Sequence, residues 1–478
     1  MRFTIVAAIL LIAGTARSEQ WLQRYHDAQH TSFINVPVDP LMTENFRYIF
    51  DPTEVPLGRG VHLIHYTDPK IEANGDMLVP IIERNAGGVV TGSSVRKLSG
   101  GVAIWTYPSD FVRQPNGAWE PVFDFAVKDN LVYVMGRYGC IWILSDADGT
   151  VQGHRCSTEP VDPTGENIWI TSPFTIDGNG NVFWTIRSSS SLIGSSIVML
   201  DASGNITASA LANLAGTGQI AGANAAPAVS FDNGTLYVAT TLSGQTGGKL
   251  VALDLTDPTL QTVTWIAPLN PGGACREARL NDSGTSSPIA LPDGGAGIGG
   301  WNNAPTSEGL YYSFDSSGSL RGCYPFGWDD TMGQVVLNGT TYLVGKHNHY
   351  TLGSSACNNM IDPPVPAPCF EIVVLDSTTM VKLWSYIGTE LQPSGVPYEF
   401  CIDAPTLYKQ TQPDGTEVGY VVAPSESGTL YSLQLFSNPP LETHLTAGGP
   451  QDAAYVPTVS IGGNAYTINH GQVVGIGQ

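Results

Sequence analysis

The sequence predicts an all-β protein: a single β-propeller of eight four-stranded blades, closed by a strand from its N-terminal region. The main observation is a repeat of short apolar strands ending in Leu-Asp, as at Leu200-Asp201, Leu253-Asp254 and Leu375-Asp376. Equivalent strands recur about every 55 residues, a period typical of propellers. Composition agrees, because 54 glycines and 33 prolines punctuate the chain and few segments carry apolar residues at helical spacing.

The repeat divides the chain into successive blades. Their predicted limits are 60–108, 120–160, 171–214, 225–269, 286–326, 332–388, 403–445 and 455–478. The last unit has only three strands, so we expect the alternating stretch 45–50 to supply its fourth and remove two open sheet edges. The fifth unit is the weakest because its glycine-rich stretch 296–300 offers few side chains to pack, and seven blades are the alternative.

Two local features complete the expected fold. The only stretch with helix-like character is short, at residues 208–214. Trp105, Trp265 and Trp384 each lie near the end of an outer strand. A large ring there favours packing between adjacent blades over a role as a ligand platform.

Residues 1–18 resemble a secretory signal. A basic start at Arg2 is followed by an apolar run and by small residues before a cut near Ser18. The run is shorter than the roughly 20 residues that span a bilayer, which disfavours the alternative of a membrane anchor. We therefore expect a secreted protein, extracellular or periplasmic, with one propeller domain over residues 19–478 and no transmembrane segment.

Seven cysteines in an exported chain predict disulfides. We expect three bridges and one buried free thiol at Cys401. The predicted pairs are Cys140 with Cys156, Cys275 with Cys323, and Cys357 with Cys369.

Net charge and motifs exclude several functions. The chain is acidic, with a formal net charge of −21, which argues against nucleic acid and anionic membranes as partners. It contains no Cys-x-x-Cys-His haem attachment, no Gly-x-Ser-x-Gly elbow and no phosphate loop of the Gly-x-x-x-x-Gly-Lys type.

Three segments carry a family resemblance. Residues 21–31 read WLQRYHDAQHT, while residues 98–105 and 375–384 each run from a leucine through a turn and an apolar stretch to a tryptophan. These segments resemble the opening element and the blade signature of the pyrroloquinoline-quinone-like repeat superfamily of propellers. The resemblance covers nearly the whole mature chain. It implies the fold more strongly than a function, since such propellers serve as dehydrogenases, scaffolds and binding proteins.

The loops that join the second and third strands of each blade lie on one face around the channel mouth. Six polar or cationic residues there are candidates for ligand binding: Arg84, Arg137, Arg187, Asn302, Lys346 and His470. Arginines on rigid strands can bind carboxylates or sulfates at two points, which suits an anionic or carbohydrate ligand. The alternative is that these side chains are simply solvated or paired between blades.

Histidines give one candidate metal site. His347 and His349 are alternate residues of a strand and point to one side, so a third ligand from His470 or Asp330 would complete a site. The alternative is a polar strand end. His26 and His30 fit the opening segment of the family better than a site.

Three functions follow, and no catalytic residue is identified. A secreted protein that binds a ligand or an extracellular protein partner through its channel face is favoured. A dehydrogenase with pyrroloquinoline quinone and calcium is not favoured, because such enzymes usually carry a disulfide between adjacent cysteines and this chain has no adjacent pair. A lyase acting on uronate-containing glycans is the third alternative, with Arg137, Arg187, His347 and His470 supplying suitable residue types.

Overall fold

The protein forms an eight-bladed β-propeller in a computed structural model. The residues described are 20–38, 43–49, 67–84, 90–112, 123–157, 168–188, 194–242, 247–270, 272, 275, 280, 286–301, 309–326, 331–349, 369–388, 390–393, 395, 397–400, 404–446, 458–469 and 471–477.

Thirty-five strands, one short α-helix and one 3₁₀ turn make up the fold of these residues. Before the first blade lie β1 (Phe33–Ile34) and β2 (Glu44–Ile49). Blades 1 and 2 contain β3 (Lys70–Ile71), β4 (Met77–Arg84), β5 (Val90–Ser99), β6 (Val102–Ser109), β7 (Phe125–Lys128), β8 (Leu131–Met135), the 3₁₀ turn (Arg137–Gly139), β9 (Cys140–Ser145) and β10 (Val151–Cys156). Blades 3 and 4 contain β11 (Ile168–Ile170), β12 (Thr175–Ile176), β13 (Val182–Ser188), β14 (Ser196–Leu200), β15 (Ile206–Ala210), α1 (Leu211–Ala215), β16 (Gln219–Ala221), β17 (Ala228–Val229), β18 (Thr235–Leu242), β19 (Lys249–Asp254) and β20 (Val263–Pro268).

The second half of the ring repeats the pattern. Blades 5 and 6 contain β21 (Ile289–Ala290), β22 (Ala296–Trp301), β23 (Gly309–Phe314), β24 (Leu320–Pro325), β25 (Gly333–Leu337), β26 (Thr340–His349), β27 (Cys369–Asp376) and β28 (Lys382–Ile387). Blades 7 and 8 contain β29 (Thr406–Thr411), β30 (Glu417–Pro424), β31 (Thr429–Gln434), β32 (Glu442–Thr446), β33 (Val459–Ile461), β34 (Asn464–Asn469) and β35 (Gln472–Ile476).

Each blade is an antiparallel sheet whose strands follow one another from the channel outwards. In blades 3 and 4 the innermost strand is broken into two pieces, β11 with β12 and β16 with β17. The glycine-rich blade 5 forms its four strands, so eight blades are confirmed against the alternative of seven. The loops between second and third strands and those leading into each innermost strand lie on one side of the ring, which we call the loop face.

The central strands of each blade are buried on both sides, which explains their continuous apolar sequence. Successive residues point to opposite faces of a sheet, so Leu343 packs against blade 5 while Val344 packs against blade 7. Shared apolar clusters join blades 1 to 3, then 3 and 4, 4 and 5, 5 and 6, 6 and 7, and finally 7, 8 and 1. The hydrophobic core is therefore a closed ring between the sheets.

The ring is closed by β2, as the sequence predicts. This strand pairs antiparallel with β35 and becomes the outermost strand of blade 8, with Ile49 opposite Gln472. Arg47 Nη1 donates a hydrogen bond of 2.6 Å to Gln472 Oε1. The short β1 adds a second link, because it pairs in parallel with β29 of blade 7.

The blade tryptophans pack between blades, which confirms their predicted structural role. The Trp105 indole donates to the Asp146 carbonyl of blade 2 over 2.9 Å, and Trp384 donates to the Ser437 carbonyl of blade 7 over 3.1 Å. Trp265 of blade 4 lies against Gly318 of blade 5. In each case an outer-strand indole covers a turn of the next blade.

A substitution at Gly318 tests how much this indole packing stabilises the fold. Its φ is +80°, and an added Cβ would lie 2.7 Å from the Trp265 ring. We expect Gly318→Ala to lower the free energy of unfolding by about 2–4 kcal/mol, combining backbone strain with displacement of the indole. Gly415→Ala is the matched control, because φ there is +85° and nothing lies within 4 Å. It should cost only about 1 kcal/mol in urea unfolding. Equal losses at both positions would contradict an energetic role for the indole contact.

Two predicted disulfides are confirmed. Cys140 is bonded to Cys156 within blade 2, and Cys275 to Cys323 near blade 5. Cys357, Cys401 and the side chain of Cys369 lie outside the described residues.

The helix differs from expectation, since 206–210 is a strand and α1 begins only at Leu211. Residues 208–210, which the sequence pattern assigned to a helix, belong instead to β15 and pair with β14.

No helix among the described residues is long and apolar enough to cross a membrane.

Candidate functional site: the channel and its rim

An irregular segment, residues 20–38, crosses the central channel, and we call it the plug. Its backbone bonds to the innermost strands of blade after blade: Trp21 with Ile71, Leu22 with Val127, Ala28 with Val229, Gln29 with Ala290, Thr31 with Gln334, and Ser32 with Leu407. The Gln23 amide adds blade 3 through both backbone groups of Ile176. In blades 1 to 5 these contacts lie near the carboxyl ends of the inner strands, away from the loop face. The plug therefore contacts the innermost strands of blades 1 to 7.

The plug needs an unusual backbone. Tyr25, His26, His30 and Ser32 all have positive φ values between 53° and 78°. His30 is fully buried, with Nδ1 2.7 Å from the Pro288 carbonyl oxygen. Burial lowers the pKa of His30 to about 4, so its imidazole is neutral near pH 7. The predicted structural role of the opening-segment histidines thus holds for His30.

A buried ion cluster lies beside the plug at the loop-face end of the channel. Lys70 Nζ lies 2.8 Å from Asp68 Oδ1 and 3.2 Å from Asp124 Oδ1, and all three side chains are shielded from solvent. The Thr67 hydroxyl donates to Asp124 Oδ1 over 2.5 Å, and the Phe174 amide donates to its Oδ2 over 3.0 Å. Each carboxylate is thereby compensated, as a buried charge requires.

Two plug side chains join this end of the channel. Arg24 Nη1 lies 3.3 Å from the Thr67 hydroxyl, and its guanidinium is 5.1 Å from the Tyr25 ring. The Tyr25 hydroxyl accepts hydrogen bonds from Ser287 at 3.1 Å and Thr331 at 3.2 Å. The plug thus connects the ion cluster of blades 1 and 2 to blades 5 and 6.

The described channel residues do not fit a quinone held beside a divalent cation. A cation would need available oxygen ligands, but Asp68 and Asp124 already share Lys70. Asp68 Oδ2 also accepts the Trp21 indole at 2.6 Å. Asp68 and Asp124 are therefore engaged within the ion cluster and are not available to such a cation.

The predicted rim residues occupy different environments. Arg187 is buried, and its Nε and Nη2 donate to the Ala221 carbonyl of blade 4 over 2.9 and 2.7 Å. Lys346 is also buried. Arg137 is the exposed cation among the described members of the set. Arg84 ends β4, but its side chain is outside the described residues, as are Asn302 and His470.

The predicted metal ligand His347 lies in a polar cluster between blades 5 and 6. Its Nδ1 is 2.9 Å from Glu371 Oε1 and 3.3 Å from the Tyr324 hydroxyl. Lys382 lies 3.0 Å from the same carboxylate oxygen. Burial raises the pKa of Tyr324 well above its usual range, although the Glu371 pKa is lowered by His347 and Lys382 against the effect of burial. His349 ends β26, and its side chain is outside the described residues.

A second group of rim residues lies between blades 1 and 2, and Arg137 is the member that the sequence indicated. Arg137 and Tyr138 form the turn between β8 and β9, with the guanidinium 4.4 Å from the tyrosine ring centre. Tyr138 has φ 60° and ψ 30°, a strained conformation for a bulky residue. The turn thus presents an exposed cation beside an aromatic face.

Neighbouring residues hold this turn in place. Asp110, just after β6, accepts the Trp142 indole at 2.7 Å and the Arg137 amide at 3.2 Å. A Cβ on Gly136 would meet Trp142 at 2.9 Å, so glycine permits this approach. Burial and Asp110 raise the pKa of the adjacent Tyr107 to about 12. We call Tyr107, Asp110, Arg137, Tyr138 and Trp142 the rim site.

The fold is similar to that of solved quinoprotein dehydrogenases. The quinohemoprotein alcohol dehydrogenase of Comamonas testosteroni has 14% identity and a TM-score of 0.60, over 98% of this chain and 82% of that one. A europium-containing methanol dehydrogenase has 10% identity and a TM-score of 0.58, over 94% and 89%. A quinohemoprotein alcohol dehydrogenase of Pseudomonas putida HK5 has 12% identity and a TM-score of 0.58, over 96% and 80%. No protein-family profile and no curated protein sequence matches the chain. At such identities the similarity is one of fold, and it confirms the predicted resemblance to quinoprotein-like propellers.

Proposed function

We propose that this quinoprotein-like propeller is an exported binding protein whose rim site takes an anionic carbohydrate ligand. The observation that carries the proposal is the exposed Arg137 stacked on the strained Tyr138 ring. A guanidinium binds a carboxylate or sulfate at two points, while aromatic faces cover the apolar side of a ring. Arginine, tyrosine and tryptophan are also enriched at binding hot spots, so a protein partner is the alternative occupant.

The described turns on the opposite face are unfavourable for an anion. Turns on the opposite face carry exposed or half-buried aspartates, including Asp148, Asp201, Asp315 and Asp414. Hydrogen bonds from neighbouring side-chain and backbone groups lower the pKa of each of these carboxyls, so they are ionised near neutral pH. An anion is repelled there, whereas Arg137 offers a local positive charge on the loop face, next to the exposed Asp110.

Export is part of the proposal. The segment 1–18 has the pattern of a secretory signal. The disulfides Cys140–Cys156 and Cys275–Cys323 suit an oxidising compartment, extracellular or periplasmic.

A binding role is favoured over catalysis at the sites described. The channel carboxylates Asp68 and Asp124 are paired with Lys70, which argues against a quinone with its cation. The raised pKa of Tyr324 argues against that phenol as the base of a lyase, because it stays protonated near neutral pH.

The test is binding of polygalacturonate, measured by titration calorimetry at low salt. Arg137→Ala should weaken binding about tenfold or more, because charge-assisted hydrogen bonds worth about 1.5–3 kcal/mol are lost. Arg155→Ala is the matched control, since Arg155 is an exposed cation of blade 2 whose Nη1 donates to the adjacent His154 carbonyl. Arg187 is unsuitable for this test because its replacement would also remove buried hydrogen bonds.

Three outcomes would contradict the proposal. The first is a wild-type protein that binds neutral dextran as well as polygalacturonate, or binds neither. The second is an equal loss of affinity in the Arg137 and Arg155 variants, which would remove the rim site from the binding. The third is dye reduction with added quinone and calcium, or release of unsaturated uronate from polygalacturonate, which would replace the binding role with an enzymatic one.

A further inference from the structure

Blade 2 brings three potential metal ligands together on one face of its outer strand pair. Cys140 of β9 lies directly opposite Cys156 of β10, and Trp142 lies opposite His154. Alternate residues of a strand point the same way, so both cysteines and the histidine project from the same side of the sheet. Their placement follows from the register of the two strands alone.

The three ligand atoms lie close together, and the two sulfurs are joined by the disulfide bond. One ligand atom from each of Cys140, His154 and Cys156 lies within 4.8 Å of the others. His154 Nδ1 is 4.0 Å from Cys156 Sγ. Both cysteines are 1% exposed, whereas His154 is exposed and offers a route from solvent.

The histidine ring is held in position. It stacks on Trp142 with ring centres 4.0 Å apart and an interplanar angle of 31°. The Trp142 indole is fixed in turn by Asp110 at 2.7 Å. A histidine oriented in this way loses less conformational entropy when it binds an ion.

We propose that the Cys140–Cys156 disulfide is the oxidised form of a zinc site whose third ligand is His154. A dithiol reduces the disulfide to two thiols and is itself oxidised to a disulfide. Zn²⁺ then bonds to both sulfurs and to a nitrogen of His154, displacing the two thiol protons to solvent. Water fills the fourth position, because a tetrahedral ion with three protein ligands keeps one position open.

Binding and oxidation are therefore mutually exclusive at this site. Zinc binds only the reduced form and stabilises it, so the ion opposes re-formation of the disulfide. The proposal does not depend on carbohydrate binding at the rim site, because its ligands are different atoms and its readouts are metal binding and thiol protection.

The first test uses the wild-type protein. It is reduced with a phosphine, desalted under nitrogen and alkylated with iodoacetamide, with or without one equivalent of Zn²⁺. Peptide mapping should show Cys140 and Cys156 protected by zinc, with alkylation slowed about tenfold or more, while Cys275 and Cys323 serve as unprotected internal controls. Equal labelling of all four cysteines with and without zinc would overturn the proposal.

The second test replaces the ligands. Co²⁺ titration of the reduced wild type should give thiolate-to-cobalt charge-transfer absorption, and the oxidised protein should give none. His154→Ala keeps both thiols and should weaken metal binding about 10–100-fold. Loss of the band in Cys140→Ser/Cys156→Ser is the companion expectation, with melting curves to verify folding. An unchanged affinity in His154→Ala would overturn the three-ligand assignment.

Discussion

Deletion of residues 20–49 should leave no soluble, cooperatively folding monomer. The deleted segment includes the plug and β2, so blade 8 would lose its outer strand and the inner strands would lose their backbone partners. An exposed strand edge on β35 would then be available for intermolecular pairing. Size-exclusion chromatography and thermal unfolding measure the effect, with a chain beginning at Gln20 as the control.

A point substitution in the plug measures its contribution to stability separately from that of β2. Trp21 is fully buried, and its indole donates a hydrogen bond to Asp68. Trp21→Ala should lower the free energy of unfolding by about 3–5 kcal/mol, while Trp21→Phe should recover part of that loss. An unchanged melting temperature in the deletion or in Trp21→Ala would show that the N-terminal region does not stabilise the ring.

Replacement of Lys70 should be nearly as damaging. Lys70→Met would leave Asp68 and Asp124 buried without their shared cation, and removing one partner of a buried ion cluster costs about 3–5 kcal/mol. Urea unfolding at neutral pH measures the loss. The variant Lys70→Met/Asp68→Asn/Asp124→Asn removes all three charges and should be distinctly more stable than Lys70→Met alone. If both variants lose the same stability, the cost comes from packing and not from uncompensated charge.

Strand order and closure were predictable because they depend on local signals. The Leu-Asp repeat marks the blades, and the stretch 45–50 reads as an isolated strand that matches β2 closely. Indole packing was predictable because each tryptophan stands near the end of an outer strand. The Cys140–Cys156 pair was predictable from its spacing within blade 2, and the Cys275–Cys323 pair because it spans one repeat unit.

The plug could not be predicted in the same way. Residues 20–38 have neither strand nor helix periodicity, and their partners lie far along the chain, 306 positions away for Tyr25 and Thr331. The burial of Arg187 could not be predicted from the sequence either, since a cation at a strand end normally reaches solvent. Its partner is the Ala221 carbonyl, a backbone group that no side-chain pattern reveals. The rim site depends on the positive φ of Tyr138, which an aromatic residue does not signal.

Closure by β2 also sets the order in which the ring can assemble. Arg47 and its partner Gln472 are separated by 425 positions. Strand β2 is therefore synthesised early but cannot pair until β35 has been made. Until then blade 8 is incomplete and the intermediate exposes unpaired backbone. Such long-range pairing makes folding slow. The ring can therefore close only after both ends of the chain are available.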